Sequence, residues 1–329
     1  MHPLTWTQAE TSAVIGAFKF VCSDGRTKAL LPIHDEFLEG FRDHIFHHSE
    51  LDLAAIEPIP PNMFAERITD PEHRVHALEY LTLAPYIEPE MRSEQADLVA
   101  AYFSALHMRS DAFSFMNNIA HRHILMSQLC IARKLLPHLL PGGPLAHIVR
   151  AMRMVRESRG DAKIAAEYQA LENLPEGTLG NAFYRFHRLR GFQLPGEKGC
   201  IPEELSALHD LTHILSGYNT DFRGEILAQA FAGGTMPKYG MMAAVSGLLS
   251  FHNGLLFDAR GRYKLERGNL DPRAWAHAFE RGMNAIHFLD HWDFKADWRT
   301  PVAEVRERFN ITNAVDVWDI PPPPERVPA

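Results

Sequence analysis

His209-Asp210-Leu211-Thr212-His213, followed by Glu225 after eleven intervening residues, places two imidazoles and two carboxylates within seventeen positions. His209 and His213 are four apart, so on a helix they share one face. Nitrogen and carboxylate oxygen donors together suit a divalent cation and leave room for water or substrate. The flanking residues predict that helix. Pro202 suits a first turn, where its missing N–H is no loss. Glu203 and Glu204 put negative charge at the positive end of the helix dipole. Gly217 can take the left-handed conformation past the last turn. Leu205, Leu208, Leu211 and Leu215 form an apolar stripe, with Ser206, His209, Asp210 and His213 mainly on the other side.

A second helix is expected next, with Asn219, Thr220 and Asp221 as candidate N-caps and Gly233-Gly234 as its end. Phe222, Ile226 and Ala230 give it an apolar face, and Glu225, Ala228, Gln229 and Ala232 another. Residue 219 lies midway between His213 and Glu225. In an antiparallel hairpin those two side chains therefore sit at equal depth, about one and two-thirds turns from the tip. Residue chemistry leaves two readings open: a metal site fed by both helices, or a solvated polar helix face.

The His-Asp-x-x-His-x11-Glu pattern resembles the signature of the coenzyme Q (ubiquinone) biosynthesis Coq-four family. Further elements resemble that family in its order. They are Leu174 to Tyr184 (LPEGTLGNAFY), Gly191-Phe192, Gly224-Glu225-Ile226, Arg281 to Ala285 (RGMNA), and Trp298 to Ile311 with Thr300-Pro301 and Glu304-Val305-Arg306. The likeness runs over about residues 163–312. It departs at Arg281-Gly282-Met283, which lacks the usual basic residue after the glycine, and the stretch Met236 to Leu265 is long. The resemblance implies an all-α fold and a divalent cation, zinc first, with iron, cobalt or magnesium as alternatives. It implies His209, Asp210, His213 and Glu225 as the ligands, with no catalytic residue assigned beyond them. It also implies oxidative decarboxylation at ring carbon one of a polyprenyl hydroxybenzoate, an isoprenoid lipid ligand and other ubiquinone-biosynthesis proteins as partners. A homodimer is compatible with it. The alternatives are a noncatalytic lipid-binding scaffold for the same pathway and a metal-dependent phosphohydrolase, which would need further distant His and Asp ligands.

The 329 residues are 46% hydrophobic and 22% charged, ordinary values for a globular chain. A net charge of -8 argues against nonspecific nucleic-acid binding. Cys22, Cys130 and Cys200 are far apart and show neither zinc spacing nor a disulfide framework, which fits a reducing compartment. The first ten residues do not read as a secretory leader, and no apolar run is long enough to span a bilayer. A lipid substrate then implies a cytoplasmic protein touching the inner face of the membrane peripherally. No Gly-rich dinucleotide fingerprint is present.

Residues 1–145 read as a helical N-terminal domain of unassigned role, 146–315 as the metal and lipid domain, and 316–329 as a proline-rich tail. Helical patterns are expected over Ile33–Phe46, Pro71–Leu83, Ser93–Leu106 and Ala112–Leu136. Asp70 to Met108 faintly resembles a TerB-like module, with an acidic loop at Glu88-Pro89-Glu90. With 19 histidines, chance clusters are expected. His44, His47 and His48, then His73 and His76, then His121 and His123, read as ordinary surface or packed histidines. His187 reads as helix surface. His287 and His291, with Asp290, are the second choice for a metal or proton-transfer site.

Overall fold

The computed structural model describes residues 4–109, 114, 144–254, 267–289 and 292–321. Among these the protein is all-α, as the sequence predicts. In chain order the helices are α1 (Gln8–Cys22), α2 (Pro32–Gly40), α3 (Pro61–Arg67), α4 (Pro71–Leu81), α5 (Ser93–Ala105), α6 (Pro144–Ser158), α7 (Ala162–Gln169), α8 (Leu179–Arg190), α9 (Glu203–Ser216), α10 (Phe222–Thr235), α11 (Gly240–Phe251), α12 (Pro272–Asn284) and α13 (Val302–Arg308). A single isolated β-bridge joins Thr178 to Pro301. No helix among the described residues is long and apolar enough to cross a membrane. Most of the Ala112–Leu136 pattern, His121, His123, Cys130, Asp290, His291 and residues 322–329 of the tail lie outside the described residues.

The chain divides into two compact units. One comprises Met1–Leu135 and Gln229–Met283, the other Leu136–Ala228 and Asn284–Ala329. The units are therefore not the contiguous segments that a boundary near residue 145 would give, because residues 229–283 group with the first.

In the first unit α2 continues into a π-helical turn, Phe41–Ile45, as the 33–46 pattern predicts in outline. The core is aromatic. Phe37 stacks on Phe41 at 4.4 Å between ring centroids, Phe41 lies nearly parallel to Trp275 at 6.1 Å, and Trp275 to Phe279 at 5.3 Å. All four are fully buried, and each such side chain contributes about 1.5–3 kcal/mol of transfer free energy. Helix α10 does not end at Gly233-Gly234; it runs to Thr235. The glycines serve close packing. A Cβ on Gly234 would stand 2.2 Å from the Phe279 carbonyl oxygen, and one on Gly282 would stand 2.1 Å from that of Phe231.

In the second unit Phe183 of α8 packs against Tyr168 at 5.5 Å and Trp298 at 5.4 Å. The Leu179 and Gly180 amides donate to the Thr300 and Trp298 carbonyls at 2.9 and 3.0 Å. The first turn of α8 is thereby satisfied by the segment before α13. Cys22 and Cys200 are free, buried thiols.

Candidate metal centre

Helix α9 is held at both ends by other parts of its own unit. The buried Glu157 carboxylate accepts from the Glu203 amide at 2.7 Å. That places an anion at the helix N-terminus, where free N–H groups and the dipole favour it. Pro202 is the N-cap rather than part of the first turn. At the other end Gly217 has φ 83°, and the Arg306 guanidinium donates to the Ile214 and Leu215 carbonyls at 2.8 and 3.0 Å. Asp221 caps α10, its carboxylate accepting from the Gly224 amide at 3.0 Å. A Cβ on Gly224 would fall 1.9 Å from the Asn219 carbonyl oxygen, so only glycine allows the tight α9–α10 turn. Arg190 of α8 braces that turn. It donates to the Asn219 and Thr220 side chains at 2.7 and 3.0 Å while its guanidinium lies 4.0 Å from the Phe186 ring centroid.

The hairpin brings His209, His213 and Glu225 together, with one donor atom from each lying within 4.8 Å of the others. His209 Nε2 and His213 Nε2 are 3.3 and 3.4 Å from the same Glu225 oxygen, Oε2. The equal-depth expectation for His213 and Glu225 is met by that distance. Both Nδ1 atoms are engaged elsewhere. That of His213 faces the Tyr218 carbonyl at 2.9 Å, and that of His209 faces Asp210 Oδ1 at 3.2 Å. A carbonyl can only accept, so His213 Nδ1 donates to Tyr218 and Nε2 is the atom that faces Glu225. His213 is fully buried, and its Nε2 makes no hydrogen bond. A buried imidazole nitrogen without a hydrogen bond, 3.4 Å from a carboxylate oxygen, is a donor arrangement a divalent cation fits.

Asp210 stands apart from this trio. Its Oδ2 lies 3.1 Å from His187 Nε2, while its Oδ1 takes His209 Nδ1. This is the outer-shell carboxylate geometry that fixes the orientation of a ligating histidine. His187 is not helix surface. It is 2% exposed, packs on Phe183 at 4.3 Å, and its Nδ1 faces the Phe183 carbonyl at 3.0 Å. Its place on the buried stripe Leu179, Phe183, Phe186 of α8 was the available sequence signal. The α9 stripe also differs from expectation. Leu211 and Leu215 are buried, but Leu205 is 49% exposed while Ser206 and His213 point inward.

Burial opposes charge throughout the cluster, yet the partners prevail. Despite burial, hydrogen bonds to Asp210 and Glu225, with their charges, push the His209 pKa up to about 10. Against the same desolvation, the neighbouring His213 and His209 side chains hold Glu225 down to about 2. Hydrogen bonds from His187 and His209 likewise lower Asp210 against its burial. His209 is the open edge, with about a third of its side chain exposed (35%).

Among the other histidines named from the sequence, His48, His73 and His76 each have a carboxylate neighbour of their own. His73 Nδ1 lies 2.7 Å from Glu10, and His48 faces the Trp6 carbonyl at 2.8 Å and Glu50 at 3.0 Å. His76 is 3.8 Å from Glu79.

Fold and site together define an all-helical protein with a two-histidine, one-carboxylate cluster on a helical hairpin. No family model matches the chain, and no curated protein matches it. It is similar to a crystal structure from Nostoc punctiforme PCC 73102 described as a "putative ubiquinone biosynthesis protein". The identity is 20% and the TM-score 0.31, over 74% of this chain and 100% of that one. At that TM-score the likeness decides neither fold nor function, and membership of the Coq-four family does not follow from it.

Proposed function

We propose that the protein holds a divalent cation through His209, His213 and Glu225 and acts in ubiquinone biosynthesis on a polyprenylated aromatic acid. The observation that carries the metal reading is the convergence of two Nε2 atoms on one Glu225 oxygen with both Nδ1 atoms occupied. The pathway is supported by the ordered sequence elements over about residues 163–312 around that cluster. Zinc suits the donor set, and so does iron, since two histidines and a carboxylate also serve non-haem iron. Such a cation supplies Lewis-acid stabilisation of charge on a carboxylate or phenolate.

The chain's own residues do the positioning. Asp210 and His187 fix the His209 ring. The buried His213 and the partly buried Glu225 close the inner side, and the exposed edge of His209 faces solvent. The reaction we assign is oxidative decarboxylation at ring carbon one. The ring carbon loses its carboxyl group as carbon dioxide and takes a hydroxyl from water, releasing two electrons and two protons. Zinc takes no electrons, so dioxygen or a partner protein accepts them. On α6, Val149, Met152 and Val155 form an exposed apolar stripe with Arg156 beside it, which supports contact with a lipid surface.

Quinone analysis of cells lacking the gene tests the assignment. Deletion should deplete ubiquinone and accumulate the carboxylated precursor. The wild-type gene should restore the quinone, and a His213→Ala gene expressed to the same level should not. Unchanged ubiquinone in the deletion would overturn the proposal.

A further inference from the structure

In the first unit two histidines meet one carboxylate and a third histidine lies beside them. Glu280 of α12 accepts from His44 Nδ1 at 2.8 Å through Oε2, and His47 Nε2 lies 3.6 Å from its Oε1. His277 precedes Glu280 by three residues on the same helix, so the two share a face. The His277 ring centroid is 4.9 Å from that of His44, the planes tilted by 44°. His44 lies in the π-helical turn Phe41–Ile45, a kind of distortion that recurs at functional sites. His47 follows just beyond it.

These side chains differ from the other histidines of the unit in two ways. His44 and His47 share one carboxylate, where His48 and His73 each have separate partners. They are also open to solvent. His44 is 32% and His47 56% exposed, and His277 is exposed as well. An ion can therefore reach them, and the exposed rings can rotate. Three imidazoles and one carboxylate complete a tetrahedral donor set for a late first-row cation. The four donor atoms do not already surround one point. His44 and Glu280 are in contact, and binding would require the exposed His47 and His277 rings to turn toward them.

We propose that His44, His47, His277 and Glu280 form a second site, on the first unit, for a divalent cation of the zinc class. Bound there, the cation clips the turn after α2 to α12, joining residues 236 apart in sequence. Because it binds the folded arrangement and not the unfolded chain, it stabilises this unit by mass action.

Cobalt(II) titration of the chelator-stripped full chain tests the proposal. The parent should take up two equivalents. His47→Ala combined with His277→Ala should remove one and keep the other, and His213→Ala should do the converse. Both substituted histidines are exposed, and circular dichroism of the stripped proteins checks the fold. A double variant that binds as much cobalt as the parent, or a parent whose whole uptake is lost with His213→Ala, overturns the proposal. Zinc protection in the parent gives the same answer without a variant. Peptides carrying His44, His47 and His277 should be shielded from imidazole modification, and equal modification with and without zinc contradicts the site.

Discussion

Asp210 touches two histidines and stands outside the atoms that converge on Glu225. The family resemblance implies it as a ligand, but on a helix the residue after His209 points about 100° away from it. It faces His187 on α8 instead. A substitution separates the two roles. If Asp210 orients His209, Asp210→Asn should weaken metal binding by roughly tenfold to a hundredfold and leave the stoichiometry intact, read by competition with a chromophoric chelator. Loss of the bound ion altogether would restore Asp210 to the ligand set. His187→Ala should weaken binding in the same direction, since it removes the partner of the second Asp210 oxygen. The i, i+4 histidines and the depth of Glu225 were legible because helix geometry fixes them locally. The burial of His187 was not, because its partner comes from another helix.

At the level of elements, caps and turns were the most legible features. Pro202, Gly217 and Asp221 mark the ends of α9 and α10 where their backbone chemistry requires. Gly224→Ala should drive a Cβ into the backbone oxygen of Asn219, which cannot yield without opening the turn. We expect a destabilisation on the order of 2–4 kcal/mol in urea melts, with the cluster lost along with the turn. Gly233-Gly234 misled because a glycine pair serves equally to stop a helix or to let another helix approach. Helix α1 escaped notice for a different reason. Its Thr7…Glu10 capping box is legible, but Ala13 to Lys19 is buried on every face and shows no amphipathic period.

The loop after α8 carries its own pH signature. Arg188 makes two hydrogen bonds to Glu197, at 3.0 and 2.7 Å, and the Leu194 amide donates to it at 2.9 Å. The Arg188 bonds, with help from Gln169 and Leu194, hold the Glu197 pKa down to about 2 from 4.5. A depressed carboxyl stabilises the fold above its unfolded pKa, and the contribution is lost as pH falls through the folded one. Glu197→Gln should therefore cost about 1 kcal/mol at neutral pH, after allowing for the exposure of Arg188. The gap between parent and variant should close as pH drops from 4.5 toward 2. A gap that persists at the acid end would mean that shape, not charge, holds the loop.

For the whole molecule, the fold class was legible and the grouping of the chain was not. Helical periodicity is local, whereas the assignment of residues 229–283 to the first unit depends on contacts distant in sequence, such as Gly40 with Pro272 and Arg273 and Phe41 with Trp275. The functional cluster needs only the second unit, since His187, His209, Asp210, His213 and Glu225 all belong to it. The most direct test of the central claim is the metal content of the reconstituted chain, measured by elemental analysis beside His213→Ala and Glu225→Ala. Each substitution should remove one equivalent of bound divalent cation while the protein stays folded. Retention of the parent's full metal content in both variants would contradict the site.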